Sequence, residues 1–471
     1  MEREVDVAII GAGTAGLNAM AQVRRAGKTF VLIDGGELGT TCARVGCMPS
    51  KAFIQVAEDF HRRHIFDRHC IEGGEGLSLQ VAEAMEHVRD LRDLFVDRVL
   101  QGSTDEMGDE LIRGYARFLS PNELEVDGQR IRARRIVIAT GSRPVLPEAW
   151  RAFGDRVLTT DDFFEQETLP PRMAVIGLGV IGLELGQALA RMGVAVTGID
   201  AAETVSGLSD PVVSAEVVKV LGDEFPLWLG HPAELSRDGD ALRVQAGEQA
   251  VTVDKVLVAM GRRPNLEQLG LEQIGIPLDA RGMPPHDPHT MQILDLPIFI
   301  AGDVSGERPI LHEAGDEGKI AGYNASHDEI RAFRRKTPLA ITFCDPNVVQ
   351  VGQSWAELAE RDDVAVGEMR LGPVGRALIM GKNKGIIRVY AEKAGGRLLG
   401  AALFSVRGEN LGHLLAWAME QELTVWDALR MPFYHPVIEE ALQAAFYNLS
   451  GACEGRPEPP IELRPLPAAD A

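Results

Sequence analysis

Short apolar runs alternate with helical-period stretches along much of the chain, and the alternation is organised as a repeat. Residues 4–10 read as a buried strand and run into Gly11-Ala12-Gly13-Thr14-Ala15-Gly16. A helical stretch to Ala26 follows, then a strand over residues 29–33 that ends at Asp34. The same order returns later: residues 173–176, the turn Gly177-Leu178-Gly179-Val180-Ile181-Gly182, a helix to Met192, and a strand ending at Asp200. In both copies the acid falls eighteen residues after the third glycine. A second echo links residues 135–141 with 255–261, each a strand closing in a small turn and each followed by Arg-Pro (Arg143-Pro144 and Arg263-Pro264). These predict the exits from two nucleotide-type units. Beyond Pro338 the pattern changes: Val348, Val349 and Val351, then residues 385–390 and 398–404, read as antiparallel strands, with helices around 411–420 and 437–448. The pattern predicts an α/β chain with two Rossmann-like dinucleotide-binding domains and a C-terminal α+β domain.

Composition narrows the class of partner. The 471 residues are 45% hydrophobic and carry a formal net charge of −21. Such a surface repels nucleic acid and anionic lipid, so neither is expected as a partner. The N-terminus lacks the basic start and apolar run of a signal peptide, and the apolar runs elsewhere end in glycine or charge. A cytoplasmic location without a membrane span is expected.

A single GxGxxG is weak evidence for a bound nucleotide. Two copies between strand and helix, each with an acid at the same distance, are much stronger. Gly11, Gly13 and Gly16, and then Gly177, Gly179 and Gly182, allow a tight turn and close approach of backbone to a pyrophosphate. Asp34 and Asp200 are placed to take ribose hydroxyls. No arginine follows Asp200 to neutralise a 2′-phosphate, so the second copy favours NAD over NADP.

The five cysteines form no secreted framework, and only Cys42 and Cys47 are close. No further Cys or His pair stands nearby at zinc spacing, so no metal site is expected. In a regular helix, Cα atoms five residues apart are separated by roughly 8–9 Å. A disulfide requires under about 7 Å. A bond between Cys42 and Cys47 therefore needs a distorted helix. Gly46 permits unusual dihedrals, and Pro49 lacks the N–H that would bond the Val45 carbonyl. The segment suits a reducible bridge; the competing reading is two buried structural thiols.

The stretch Cys42-Ala43-Arg44-Val45-Gly46-Cys47-Met48-Pro49-Ser50-Lys51 resembles the redox motif of the pyridine nucleotide–disulfide oxidoreductases, the group of dihydrolipoamide dehydrogenase and glutathione reductase. The resemblance runs from Val5 to about Ala445. Ile298-Phe299-Ile300-Ala301-Gly302-Asp303 resembles the second FAD motif of the family, Phe343-Cys344-Asp345-Pro346 the opening of its dimerisation domain, and residues 431–440 its C-terminal His-Pro-x-x-x-Glu motif. The resemblance implies FAD and NAD as cofactors and a homodimer. It makes Cys42 the interchange thiol, sets Cys47 against the flavin, and places His435 as a base across the dimer interface, with Glu440 on its second ring nitrogen. In isolation His435-Pro436 reads as a helix start with proline in the first turn. The resemblance further implies that Lys51 and Glu184 pair near flavin and nicotinamide, where the plain reading is an ordinary ion pair. It sets Gly302 and Asp303 at the flavin's ribityl chain and adds cofactor contacts at Thr41, Ala116, Thr140, Gly141 and Gly261.

Five segments are expected: 1–148 with the first part of the FAD-binding domain, 149–272 for NAD, 273–337 for the second part of the FAD-binding domain, 338–450 for dimerisation, and a flexible tail over 451–471. Departures from the family pattern bear on substrate: Arg44 where asparagine is common, Asp34 where glutamate is common, and Leu311-His312-Glu313. Within the family, Asp200 argues against glutathione reductase. A lone Cys453 argues against mercuric reductase and against a thioredoxin reductase with a redox tail, and the intact pair argues against a soluble transhydrogenase. Oxidation of a dihydrolipoyl group by NAD⁺ is the activity expected. The alternatives are a reductase of another small disulfide or quinone-like acceptor, and a flavin redox sensor or assembly subunit with little turnover.

Overall fold

The repeat in the sequence becomes two parallel sheets in the computed structural model, which describes residues 2–458 and 462–466. In the first sheet, strands β1 (Glu2–Ile10) and β2 (Phe30–Asp34) lie side by side, with Val7 opposite Phe30. On its other edge β1 pairs with Gln129–Ile138, Ile10 facing Ile138. Leu111–Arg113 extends one side, and the antiparallel strands Glu123–Val126 and Ala116–Ser120 the other. Ile298–Ile300 returns after the second nucleotide unit to pair with Gln129–Ile138. Residues Val7 to Ile10 are all buried, because helices or connections cover both faces of a parallel sheet; this is why the run is continuously apolar.

Helix α1 (Thr14–Arg25) buries Ala15, Ala19, Met20 and Val23. The small residues let the helix Leu311–Ser326 approach at backbone distance. A Cβ on Gly318 would stand 2.2 Å from the Ala15 carbonyl oxygen, and one on Gly322 2.4 Å from that of Ala19. The second sheet copies the first: Leu227–Trp228, Ala195–Ile199, Arg172–Ile176, Lys255–Val258 and Val157–Leu158, in that order, with an antiparallel meander, Ala233–Asp238, Ala241–Ala246 and Gln249–Val253, beside it. The two Arg-Pro exits pair with each other as a short ribbon, Ser142–Pro144 against Arg262–Pro264.

The C-terminal unit is a five-stranded antiparallel sheet with the helices Gly408–Glu420 and Glu439–Ser450 packed on it. Its strand Leu398–Ser405 is buried at every position. One face meets those helices, and the other joins a cluster with Val213, Val217 and Val220 of the helix Pro211–Gly222 in the second nucleotide unit. At that seam Asp210 is 1% exposed, receives both Arg388 contacts at 2.7 and 2.8 Å and the Tyr390 hydroxyl at 2.5 Å, and caps the helix at Val212 and Val213. Removing one partner of such a buried charge costs about 3–5 kcal/mol, so the units are fastened to each other.

The structure differs from the expectations of the sequence at two places. The helix near the C-terminus begins at Glu439, so Pro436 lies before it and not in its first turn; the Glu440 carboxylate instead ties that approach down by accepting from the Val437 N–H at 3.0 Å. The expected tail starts too early: Glu454 donates to the Lys393 carbonyl at 2.7 Å, and Cys453 packs against the C-terminal core. Residues 459–461 and 467–471 of that expected tail lie outside the described residues.

Candidate active site

The redox segment is a broken helix. Thr40 opens it at φ 63°, its hydroxyl accepting from the Ala43 N–H, and α2 (Thr41–Val45) carries Cys42. At Gly46 the backbone leaves the helical region (φ −122°, ψ −120°) and α3 (Cys47–His61) begins. The break falls where the sequence reading put it. A Cβ on Gly46 would lie 3.0 Å from the Thr41 carbonyl oxygen and 3.1 Å from the Cys42 Cα, so α2 and the start of α3 close on each other because that position carries no side chain. Both cysteines are half-buried free thiols. Ser50 donates its hydroxyl to the Cys47 carbonyl at 3.0 Å and holds the first turn of α3.

The two thiols are electrostatically unequal. Cys42 donates a hydrogen bond to Cys47, and with the Lys51 ammonium this holds the Cys47 thiol down at about 7 against the opposing effect of burial. The same bond, and then burial, push the Cys42 thiol up. The negative charge therefore settles on Cys47. Lys51 Nζ lies 2.8 Å from Glu184 Oε2 and 4.8 Å from the centre of the Phe343 ring. Glu184 is 3% exposed, and its other oxygen accepts from the Phe343 N–H at 2.7 Å. The expected pair is thus a three-way joint between α3, the helix Val180–Arg191 of the second nucleotide unit and the start of the C-terminal unit. Arg44 pairs with Glu37.

Both glycine-rich turns fit a dinucleotide, and they do so by the same geometry. A Cβ on Gly16 would stand 1.9 Å from the Gly11 carbonyl oxygen, and one on Gly182 1.8 Å from that of Gly177. The middle glycines, Gly13 and Gly179, face open space, which is where a pyrophosphate would approach the helix N-terminus. Asp34 accepts from the Ala12 and Gly36 N–H groups at 2.6 and 2.8 Å; Asp200 accepts from Leu178 and Ala202 at 2.5 and 2.8 Å. Each acid is aimed at the rim of its turn. A cavity of about 530 Å³ opens at the second turn, lined by Gly177, Gly179, Asp200 and Gly261 together with Pro147, Trp150, Pro232 and Ala233.

The remaining expected contacts fall into two groups. Asp303 is held at 2.7 Å by the Ser142 hydroxyl, with Arg262 Nε 4.0 Å away, and Gly302 (φ 84°) donates its N–H to the buried Glu317 at 2.8 Å. Gly302 stands where a Cβ would meet that of Ala15 at 2.8 Å, so the second motif abuts the first turn. Thr140 and Asn265 lock the two exits together, the Thr140 hydroxyl donating to the Asn265 carbonyl at 2.7 Å and Asn265 Nδ2 to the Thr140 carbonyl at 3.0 Å; Asn265 N–H also reaches the Gly141 carbonyl. Thr41 is exposed at the start of α2. Ala116 has its side chain in the core of the first sheet, leaving only backbone for a ligand. Ser142, Arg262, Asn265, Glu317 and Phe343 were not anticipated. Only the echoed exits pointed towards the first three; the other contacts join residues far apart in the chain.

Among the described residues His435 makes no hydrogen bond to either cysteine. Its Nδ1 lies 2.8 Å from Glu440 Oε1, and the imidazole holds the Glu440 carboxyl below its usual range. The side chain is 81% exposed, and among the described residues Glu440 alone is hydrogen-bonded to it, so Nε2 is free to meet another chain.

Known proteins resemble the chain over nearly its whole length. Residues 5–318 match the family described as pyridine nucleotide-disulphide oxidoreductase, and residues 339–446 match the dimerisation domain of that family. A dihydrolipoyl dehydrogenase of Thermus scotoductus is 32% identical over 93% of this chain and 96% of its own. A mercuric reductase of Staphylococcus aureus is 28% identical over 90% of this chain and 78% of its own. Among solved structures, the HOCl-induced flavoprotein disulfide reductase RclA of Escherichia coli superposes with a TM-score of 0.83 at 23% identity, over 94% of this chain and 99% of that one, which is a likeness of fold.

Proposed function

The chain belongs to the pyridine nucleotide-disulphide oxidoreductase family, and from that premise we propose that it oxidises a dihydrolipoyl group with NAD⁺ through Cys42 and Cys47. It is an oxidoreductase of the flavoprotein disulfide reductase class, which works with FAD and NAD(H), and it carries the dimerisation domain of that class. The observation that supports this reading is Lys51, one turn beyond Cys47 on α3, held at 2.8 Å by Glu184 of the helix Val180–Arg191 that follows the second glycine-rich turn.

In the proposed cycle a substrate thiolate attacks Sγ of Cys42 in the oxidised pair; a substrate–Cys42 disulfide forms, the Cys42–Cys47 bond breaks, and Cys47 leaves as the thiolate that Lys51 stabilises. The second substrate thiol then attacks the substrate sulfur of the mixed disulfide. Cyclic lipoyl disulfide departs, and two electrons remain on the Cys42–Cys47 pair. His435, from a second copy of the chain, removes the thiol proton and returns it to Cys42, with Glu440 fixing the ring through Nδ1. Bound FAD would supply the two-electron link from Cys47 to NAD⁺. Gly13 and Asp34 would hold one dinucleotide, and Gly179 and Asp200 the other.

Flavin-loaded protein should reduce NAD⁺ with dihydrolipoamide, with a lower kcat/KM for NADP⁺, and Cys42→Ser and Cys47→Ser should each abolish turnover. Reduction of mercuric ion or a quinone with no turnover of lipoamide would assign another acceptor to the same thiols. Binding of both dinucleotides without turnover on any acceptor would make the protein a sensor or assembly subunit.

A further inference from the structure

The second flavin motif is a single turn with an acid inside it. Asp303 opens the one-turn segment Asp303–Ser305, and the residues that frame it are tied to one atom. Glu317 Oε2 accepts from the Gly302 N–H at 2.8 Å and from the Ser305 hydroxyl at 3.0 Å. Glu317 stands on the helix Leu311–Ser326 and is buried, which pushes its carboxyl towards the protonated form. Its other oxygen, Oε1, receives Arg335 Nη2 at 2.8 Å, and among the described residues that is its one ion pair. The same nitrogen reaches Glu313 Oε2 at 2.6 Å. We propose that Arg335 is a positioning residue of the flavin site: it keeps Glu317 ionised, and the carboxylate in turn holds Asp303 in place for the ribityl chain. The inference rests on the flavin role of Asp303 and not on the identity of the substrate.

Arg335 comes from outside the flavin-binding unit. It lies in the connection, residues 327–338, that leads from the helix Leu311–Ser326 to the strand Leu339–Thr342 of the C-terminal sheet. That connection is fastened on both sides of it. The Phe333 N–H donates to the His289 carbonyl at 2.9 Å, and the Thr337 N–H and hydroxyl donate to Glu420 at 2.7 and 2.8 Å. Arg335 Nη1 also reaches the Pro288 carbonyl at 3.4 Å. The guanidinium is therefore set before a flavin arrives, and its ordering cost falls on folding rather than on binding. Two buried acids and two cations make up the cluster. Arg308 is hydrogen-bonded to Glu313 at 3.2 Å and not to Glu317, so loss of Arg335 leaves Glu317 without a cation. A neutral Glu317 would still accept, but charge-assisted hydrogen bonds are roughly twice as strong.

The test strips FAD from the purified protein and titrates it back, following the change in flavin fluorescence. Arg335→Met should bind FAD roughly ten-fold more weakly than the wild type at neutral pH, the scale of exchanging a charge-assisted for a neutral hydrogen bond. Arg335→Lys, which restores a cation, should recover most of the affinity. A second readout is release of the flavin by acid. Ionised Glu317 holds the turn, and the Arg335 guanidinium lowers its pKa against burial, so the Met variant should release FAD at a higher pH than the wild type. On a Glu317→Gln background Arg335→Met should move that midpoint no further, because the group that titrates is gone. Should the Met variant fail to fold, Arg335→Gln, which keeps N–H donors without the charge, serves for the same comparison. Unchanged FAD affinity or an unshifted midpoint in the folded Met or Gln variant overturns the proposal. So does a shift that persists on the Glu317→Gln background. An Asp303→Asn variant that binds FAD as tightly as the wild type overturns instead the flavin role of Asp303 on which the proposal stands.

Discussion

Cys47 and Lys51 are four residues apart on α3, one helical turn, so the ammonium is built into the same element as the thiol it serves. The Cys42 hydrogen bond is the larger influence on the low Cys47 value and Lys51 adds to it, whereas Glu184 opposes it. The signs give a test. In the two-electron-reduced flavoprotein, the long-wavelength absorbance of a thiolate beside a flavin should titrate with a midpoint near 7. Lys51→Met removes a lowering influence, so the midpoint should rise, by about one unit, and the thiolate fraction at neutral pH should fall. An unchanged midpoint would mean that the ammonium acts elsewhere. Residues of this kind were legible in the sequence because their chemistry lies between near neighbours: Cys42, Gly46, Cys47, Pro49 and Lys51 occupy one short stretch. Phe343 was not legible as a site residue, because its contribution is a backbone N–H aimed at a carboxylate 159 residues earlier, and no side-chain pattern encodes that.

At the scale of elements, each strand–turn–helix unit depends on a helix start that touches the turn before it. Gly16 and Gly182 have the same environment in different units, each leaving no room for a Cβ against a backbone oxygen. Their alanine variants should fail in different ways. Gly16→Ala should purify with little flavin. Gly182→Ala should remain yellow yet bind NADH at least ten-fold more weakly, a difference of about 1.4 kcal/mol or more, as measured by equilibrium dialysis. If both variants lose flavin equally, the two units do not bind separate dinucleotides. The units were readable because the repeat supplies two registers of strand, turn, helix and acid. The C-terminal boundaries were less readable, since Pro436 offered a local helix start that the Glu440 bond to Val437 overrides, and because the docking of Glu454 on Lys393 depends on a partner far along the chain.

At the scale of the molecule, the proposed cycle joins His435 of one chain to the cysteine pair of another. The exposed ring of His435 lies in a domain that also exposes Trp417 and Tyr434, at 65% and 81%. Aromatic surface of that extent on a dimerisation domain fits an interface between copies. A mixture of Cys42→Ser and His435→Ala subunits, unfolded and refolded together with FAD, should therefore regain activity that neither variant has alone, because each mixed dimer unites one intact thiol pair with one intact imidazole. Activity no greater than the average of the parents would place His435 and Cys42 of the same chain in one site. The overall plan was readable from the repeat and its change of style after Pro338; the seam at Asp210, Arg388 and Tyr390 was not, because it joins strands and helices that share no local pattern. Glu184 has a consequence for modular redesign. Its carboxylate answers at once to Lys51 in the redox helix and to the Phe343 N–H at the head of the C-terminal sheet. The second nucleotide-type unit is therefore not a cassette: a homologous segment grafted in its place would have to present an acid to two foreign neighbours in register, and a graft that folded but missed either one would leave Lys51 without its partner while both glycine-rich turns stayed intact.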